Sequence, residues 1–239
     1  MPTLPEALAS LMRTLVIALF ALTFLMQPFL IPSESMEHTL LVGDFLLFNK
    51  QIFAPPGTIG KWILPYRNVE RGDIVVFHHS DPPLLVKRVI GLPGDRLRIV
   101  NGHVLVNDVP LAEPYATFEP APPNSFRDNF PAQIYTDPEV DPEWWRQMEH
   151  LTHRGDLLVP AGEYFVLGDN RNHSMDSRFW GFVPRQAIIA RPLVIYFSLT
   201  RPSTTDVEQV PDDRLGHNRV DSARIAEFAR WDRIFRVVH

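Results

Sequence analysis

From Thr14 to Ser33 the chain carries no charged side chain, and Leu15 to Met26 within that run is almost wholly apolar. Twenty residues of helix rise about 30 Å, the thickness of a bilayer's hydrocarbon core, so the run predicts one N-terminal transmembrane helix. Gln27-Pro28 falls near its end, where a kink is tolerated. A cleaved export signal and a buried helix are the rival readings. Against the first, the run is long and Ile31-Pro32-Ser33 lacks the small-x-small pattern of a cleavage junction. Arg13 and the terminal amine, opposed only by Glu6, favour a cytoplasmic N-terminus with the body on the other face. The expected organisation is residues 1–31 as a segment with the anchor and residues 32–239 as the folded body.

That body reads as strand-rich. With 23 prolines and 12 glycines, turns and irregular connections are frequent, which favours strands and loops over a helical bundle. Short apolar or β-branched runs at Val42–Asn49, Asp73–His78, Leu84–Ile90, Asp156–Val159, Tyr164–Leu167 and Ala187–Phe197 predict strands. Asn101-Gly102, between Leu97–Val100 and His103–Val106, predicts a type I′ hairpin, preceded by a turn at Gly91–Asp95. Residues 111–153 change character and read as an inserted, variable subregion, with a helix starting at Asp141-Pro142-Glu143. Residues 200–220 read as a surface loop, Asp221 to about Trp231 as a helix, and Ile234–Val238 as a last strand. The fold class expected is mainly β: an anchored antiparallel sheet carrying an insertion.

Which residues can do chemistry? A net charge of -5 gives no overall attraction to nucleic acid. The chain has no cysteine, which removes thiol catalysis and zinc-thiolate or iron-sulfur sites and leaves hydroxyls and carboxylates as nucleophiles. Ser33 and Ser35 follow the apolar run, although serines after a proline also serve as turn or cap residues. His78, His79 and His173 show neither His-x-x-x-His spacing nor a Gly-x-Ser-x-Gly elbow. Asp169, Asn170 and Asp176 lack the acidic spacing of a calcium loop. A lysine base remains. Leu85, Lys87 and Val89 alternate onto one strand face while Val86, Arg88 and Ile90 occupy the other, so one of two cations shares an apolar face. It either snorkels, pairs with Asp169 or Asp176, or is desolvated. A desolvated Lys87 would lose its proton more readily and accept one from a serine; arginine cannot.

Four stretches, Ser33-Glu-Ser35-Met36-Glu-His-Thr-Leu, Arg71-Gly-Asp-Ile-Val-Val-Phe77, Val86-Lys87-Arg88-Val-Ile-Gly91-Leu-Pro-Gly94-Asp95 and Gly168-Asp-Asn-Arg-Asn-His-Ser174-Met-Asp176-Ser-Arg178, occur in this order after the apolar run. In sequence and order they resemble the boxes of bacterial type I signal peptidases. The resemblance implies a Ser/Lys-dyad protease, with Ser35 as nucleophile and Lys87 as general base. It further implies an oxyanion hole from the Ser33 hydroxyl and the Ser35 backbone N–H. Ser174 would aim the lysine by a hydrogen bond, Asp176 and Arg178 would brace its loop, Asp169 would give structural support, and Met36 would line the substrate groove.

No cofactor or metal is implied. The implied substrates are signal-peptide-bearing preproteins with small residues at positions -1 and -3. The implied setting is the bacterial cytoplasmic membrane near the export translocon: single-pass, N-terminus in, catalytic domain on the outer face. Glu34 stands where the family usually has glycine, His38 where proline is common, and His173 where asparagine is common. A relative of the self-cleaving repressors and a catalytically silent peptide-binding β-domain are the alternatives. The first would need an internal cleavage site and a DNA-binding domain. The second is favoured by Glu34 and opposed by the presence of both Ser35 and Lys87.

Overall fold

The computed structural model describes residues 4–20, 26–50, 52–53, 67–79, 84–132, 134, 137–200 and 228–238. Helix α1 (Leu4–Phe20) takes up the start of the uncharged run, with Leu8, Leu11, Leu15, Ile17 and Leu19 all exposed. Among the described residues no helix is long and apolar enough to cross a membrane.

The uncharged run is not one helix. Strand β1 (Met26–Leu30) pairs antiparallel with β2 (Asp44–Asn49), Met26 opposite Asn49 and Leu30 opposite Phe45. Pro28 explains the change: within a helix it removes a hydrogen bond and clashes with the preceding turn, whereas the edge of a sheet tolerates it. β1 lies at such an edge, and Phe29 stacks on Phe48 with ring centroids 5.0 Å apart. The folded body therefore takes in Met26–Leu30, which the sequence assigns to the anchor.

The other strands expected from the sequence form within one or two residues of their bounds, and three short ones, at residues 109–110, 152–153 and 183–184, were not expected. The strands after β2 are β3 (Ile74–Phe77), β4 (Leu85–Gly91), β5 (Arg96–Val100), β6 (His103–Val106), β7 (Val109–Pro110), β8 (Thr152–His153), β9 (Asp156–Leu158), β10 (Glu163–Leu167), β11 (Val183–Pro184), β12 (Ile188–Ser198) and β13 (Arg236–Val237). The larger sheet runs β1-β2-β12-β3-β4-β10-β11, with β13 added on β12, and the smaller runs β7-β6-β5-β9-β8. Every pairing between these strands is antiparallel. The hairpin forms at Asn101-Gly102, both at positive φ (49° and 82°), as the mirror-image turn requires.

The insertion packs rather than hangs. Helices α2 (Ser125–Asp128) and α3 (Pro142–Leu151) lie over the smaller sheet, sharing a core of Leu97, Ile99, Phe126, Phe130, Trp144 and Phe165. The α3 start is as predicted: Asp141 Oδ1 accepts from the Glu143 and Trp144 amides at 2.7 and 2.8 Å, beside Pro142 in the first turn. The loop expected at 200–220 and most of the helix expected after Asp221 lie outside the described residues.

Two further cores sandwich the larger sheet. Val86 belongs to one and Val89 to the other, so β4 is covered on both faces and both of its cations are enclosed.

Candidate active site

The chain leaves β1 through Ile31, whose amide donates to the Asp44 carbonyl at 2.9 Å, while the Gly43 amide donates to the Ile31 carbonyl at 3.1 Å. This ties the next turn to the start of β2. Glu34–Met36 form one turn of 3-10 helix that points Ser35 and Met36 inward and leaves Ser33 and Glu34 exposed. Glu34 is not among the residues at positive φ, so this backbone does not call on glycine's freedom there. His38 is different, at φ 70°, a conformation closed to proline.

Register brings the lysine to the serine. β4 lies between β3 and β10, with Lys87 opposite Val75 and Arg88 opposite both Ile74 and Leu167. Lys87 Nζ lies 2.5 Å from Ser35 Oγ, with the residues 3% and 8% exposed. Burial pulls the amine down to about 8; Asp176 and Asp169 pull it upward and Arg178 adds to the lowering. A neutral amine at that separation can accept the hydroxyl proton. Ser33 Oγ is 3.4 Å from Ser35 Oγ, at the mouth of a cleft also lined by Phe29, Ile31, Met36, Leu84 and Val86.

The choice left open between the two cations is resolved by pairing. Arg88 takes Asp169, Nε to Oδ1 at 2.8 Å and Nη2 to Oδ2 at 2.7 Å. Lys87 takes the serine.

Beyond β10 the chain turns through Gly168 into the loop carrying Ser174. Asp176 caps helix α4 (Ser177–Trp180) and anchors this loop, accepting from the Gly168 amide at 3.1 Å and from Arg178 Nε and Nη2 at 2.8 Å each. Ser174 departs from expectation. Its hydroxyl is buried against Gly168 but has no hydrogen-bond partner among the described residues, so the expected bond to Lys87 is not formed. Trp144 Nε1 reaches across from the insertion to the Arg178 carbonyl at 2.9 Å.

Several supports were not read from the sequence. The Asn170 amide donates to the Ser35 carbonyl at 3.1 Å, and its Nδ2 to the Glu34 carbonyl at 3.4 Å. Thr39 Oγ1 donates to Asp169 Oδ2 at 2.6 Å. Arg233 donates to the Thr39 carbonyl at 3.0 Å and pairs with buried Asp44. Asn170 and Arg88 stand inside the quoted boxes, where a signal was present; Arg233 lies far downstream with none. Of the histidines, His79 packs on Trp180 with centroids 4.4 Å apart and His173 Nε2 lies 3.2 Å from the Pro120 carbonyl.

The family described as signal peptidase, peptidase S26, matches residues 4–197. The chain belongs to this family. It is 37% identical over 209 residues to signal peptidase I of Leptolyngbya laminosa, covering 83% of this chain and 82% of that protein. It is 35% identical over 219 residues to signal peptidase I of Pseudomonas fluorescens, covering 84% and 75%. For signal peptidase I of Pseudomonas aeruginosa the identity is 33% over 224 residues, covering 86% and 77%. The molecule is thus a serine peptidase, a hydrolase of peptide bonds from a family that removes signal peptides.

Proposed function

We infer that Ser35 and Lys87 are the nucleophile and general base of a membrane-bound endopeptidase that cuts signal peptides from exported preproteins. The observation that carries this reading is the 2.5 Å approach of Lys87 Nζ to Ser35 Oγ, with both residues buried. The neutral amine takes the hydroxyl proton as Ser35 Oγ attacks the scissile carbonyl carbon. The resulting ammonium gives that proton to the leaving amine as the C–N bond breaks. Water, deprotonated by the same lysine, then hydrolyses the acyl ester. The Ser33 hydroxyl and the Ser35 amide, in a first helical turn where amides lack intrahelical acceptors, are suited to the developing oxyanion.

The cleft beside Ser35 is apolar on the side of Phe29, Ile31, Leu84 and Val86. That suits an extended substrate strand presenting small side chains at -1 and -3. The exposed apolar side chains of α1 favour lipid around the N-terminal segment. The N-terminus then lies on the cytoplasmic side, with the body on the outer face of the bacterial cytoplasmic membrane, near the export translocon.

Detergent-solubilised protein is expected to cleave a preprotein with an Ala-x-Ala junction. Ser35→Ala and Lys87→Ala should each abolish the cut, and phenylalanine at -1 should block it. Product formed at the wild-type rate by either variant would overturn the assignment.

A further inference from the structure

We propose that Glu113 and Tyr115, on the segment between β7 and α2, are positioning residues that hold the Lys87 base in its dry, charge-balanced place; this rests on the Ser35–Lys87 reading above. The segment lies in the stretch where the resemblance to signal peptidase boxes stops, and nothing in its sequence announces a role at the site.

Its backbone runs beside the loop that carries Ser174. The Thr117 amide donates to the Asp169 carbonyl at 2.8 Å, and the Arg171 amide donates to the Thr117 carbonyl at 2.9 Å. Two side chains reach deeper. The Glu113 carboxylate grips the Arg171 guanidinium through two bonds of 3.0 and 2.6 Å, with the two side chains 9% and 3% exposed. Arg171 Nε donates to the Gly168 carbonyl at 3.1 Å, and the Arg171 carbonyl accepts Arg178 Nη2 at 2.8 Å. The Tyr115 ring lies 4.0 Å from Arg88 Cζ, capping the guanidinium that holds Asp169.

The Lys87 amine responds to three charges, Asp176, Arg178 and Asp169, besides its own desolvation. The segment reaches all three. Tyr115 and Thr117 fix Asp169, the first through Arg88 and the second directly. Glu113 fixes Arg178 through Arg171, and Arg178 holds Asp176. A buried ion pair adds little stability that apolar packing could not add; what it adds here is a fixed geometry.

The test uses the full chain in detergent and the pH profiles of kcat and KM on an Ala-x-Ala peptide. Glu113→Gln keeps the side chain's shape and removes its charge, Tyr115→Leu removes the ring face, and Tyr115→Phe keeps it. Looser loops admit water to the amine and raise its pKa. Glu113→Gln and Tyr115→Leu should therefore move the acid limb of kcat upward by about half a unit or more, roughly threefold at pH 7, with KM little changed. Tyr115→Phe should restore the wild-type profile. A rate reduced by the same factor at every pH, with the limb unmoved, assigns the segment a structural role and overturns the proposal. Failure of Glu113→Gln to fold does the same. If Lys87→Ala stays active, it is the dyad reading that falls, whatever these variants do.

Discussion

Gly168 lies against Ser35: a methyl group on its α-carbon would run into the Ser35 carbonyl oxygen and the Ser174 side chain at once. Close approach, not a left-handed backbone, is what demands glycine here. Gly168→Ala must push the Ser174 loop off the Ser35 turn, with an overpacking cost of about 1–3 kcal/mol. The expected result is a modest fall in denaturation midpoint and a drop in kcat of at least about tenfold, since misplacing reacting groups is penalised steeply. Thermal unfolding and steady-state kinetics on one preparation check both.

Because the proposed Lys87 base works only when neutral, kcat/KM should fall about tenfold for each pH unit below the lysine's value of about 8. Stability carries the matching signature. Between about 8 and 10.5 the unfolded chain binds a proton that the folded chain refuses, so stability rises with pH across that window. Below it the penalty is complete, on the order of 3 kcal/mol. Lys87→Met should accordingly be more stable than wild type at pH 7 by about that amount, with the gap closing near pH 10.5. Equal gaps at both pH values in urea titrations would refute the account.

Arg233 and Asp44 link the last described residues to the loop that follows Ser35. Asp44 is fully buried and also accepts from the Ser198 hydroxyl at 2.6 Å, and Arg230 adds a bond to the Val42 carbonyl at 2.7 Å. Arg233→Ala strands a buried carboxylate, which costs about 3–5 kcal/mol when no partner remains and less here because Arg230 stays within 3.4 Å. A loss of roughly 2–3 kcal/mol in equilibrium unfolding is expected.

His38 bonds through Nε2 to Glu119 at 3.0 Å from a left-handed backbone. His38→Pro, which installs the residue common in the resembling family, should destabilise this chain by about 2 kcal/mol or more, because the ring fixes φ near -65°. His38→Gly should be neutral or slightly stabilising. Differential scanning calorimetry of the pair separates backbone conformation from the lost bond to Glu119.

Much of this was legible in the chain itself. Alternation around Lys87 and Arg88, the Asn101-Gly102 turn and the Asp141-Pro142-Glu143 helix start are local signals that tertiary packing left in force. Residues 26–30 were misread because hydropathy alone does not distinguish an apolar edge strand from a membrane helix; Pro28 was the available clue. Ser174 was assigned a bond by resemblance that the geometry does not make. The supports from Glu113, Tyr115 and Arg233 arise from contacts between residues far apart in sequence, and spacing carries no record of such contacts.

The edge position of β1 also decides how this peptidase can be trimmed. A fragment beginning at Met26 keeps β2 covered, whereas one beginning at Pro32 bares a row of unpaired backbone groups beside Phe48, a ready template for self-association. The usable cut for a shortened, well-behaved enzyme lies ahead of Met26, even though hydropathy alone would invite it five or six residues later.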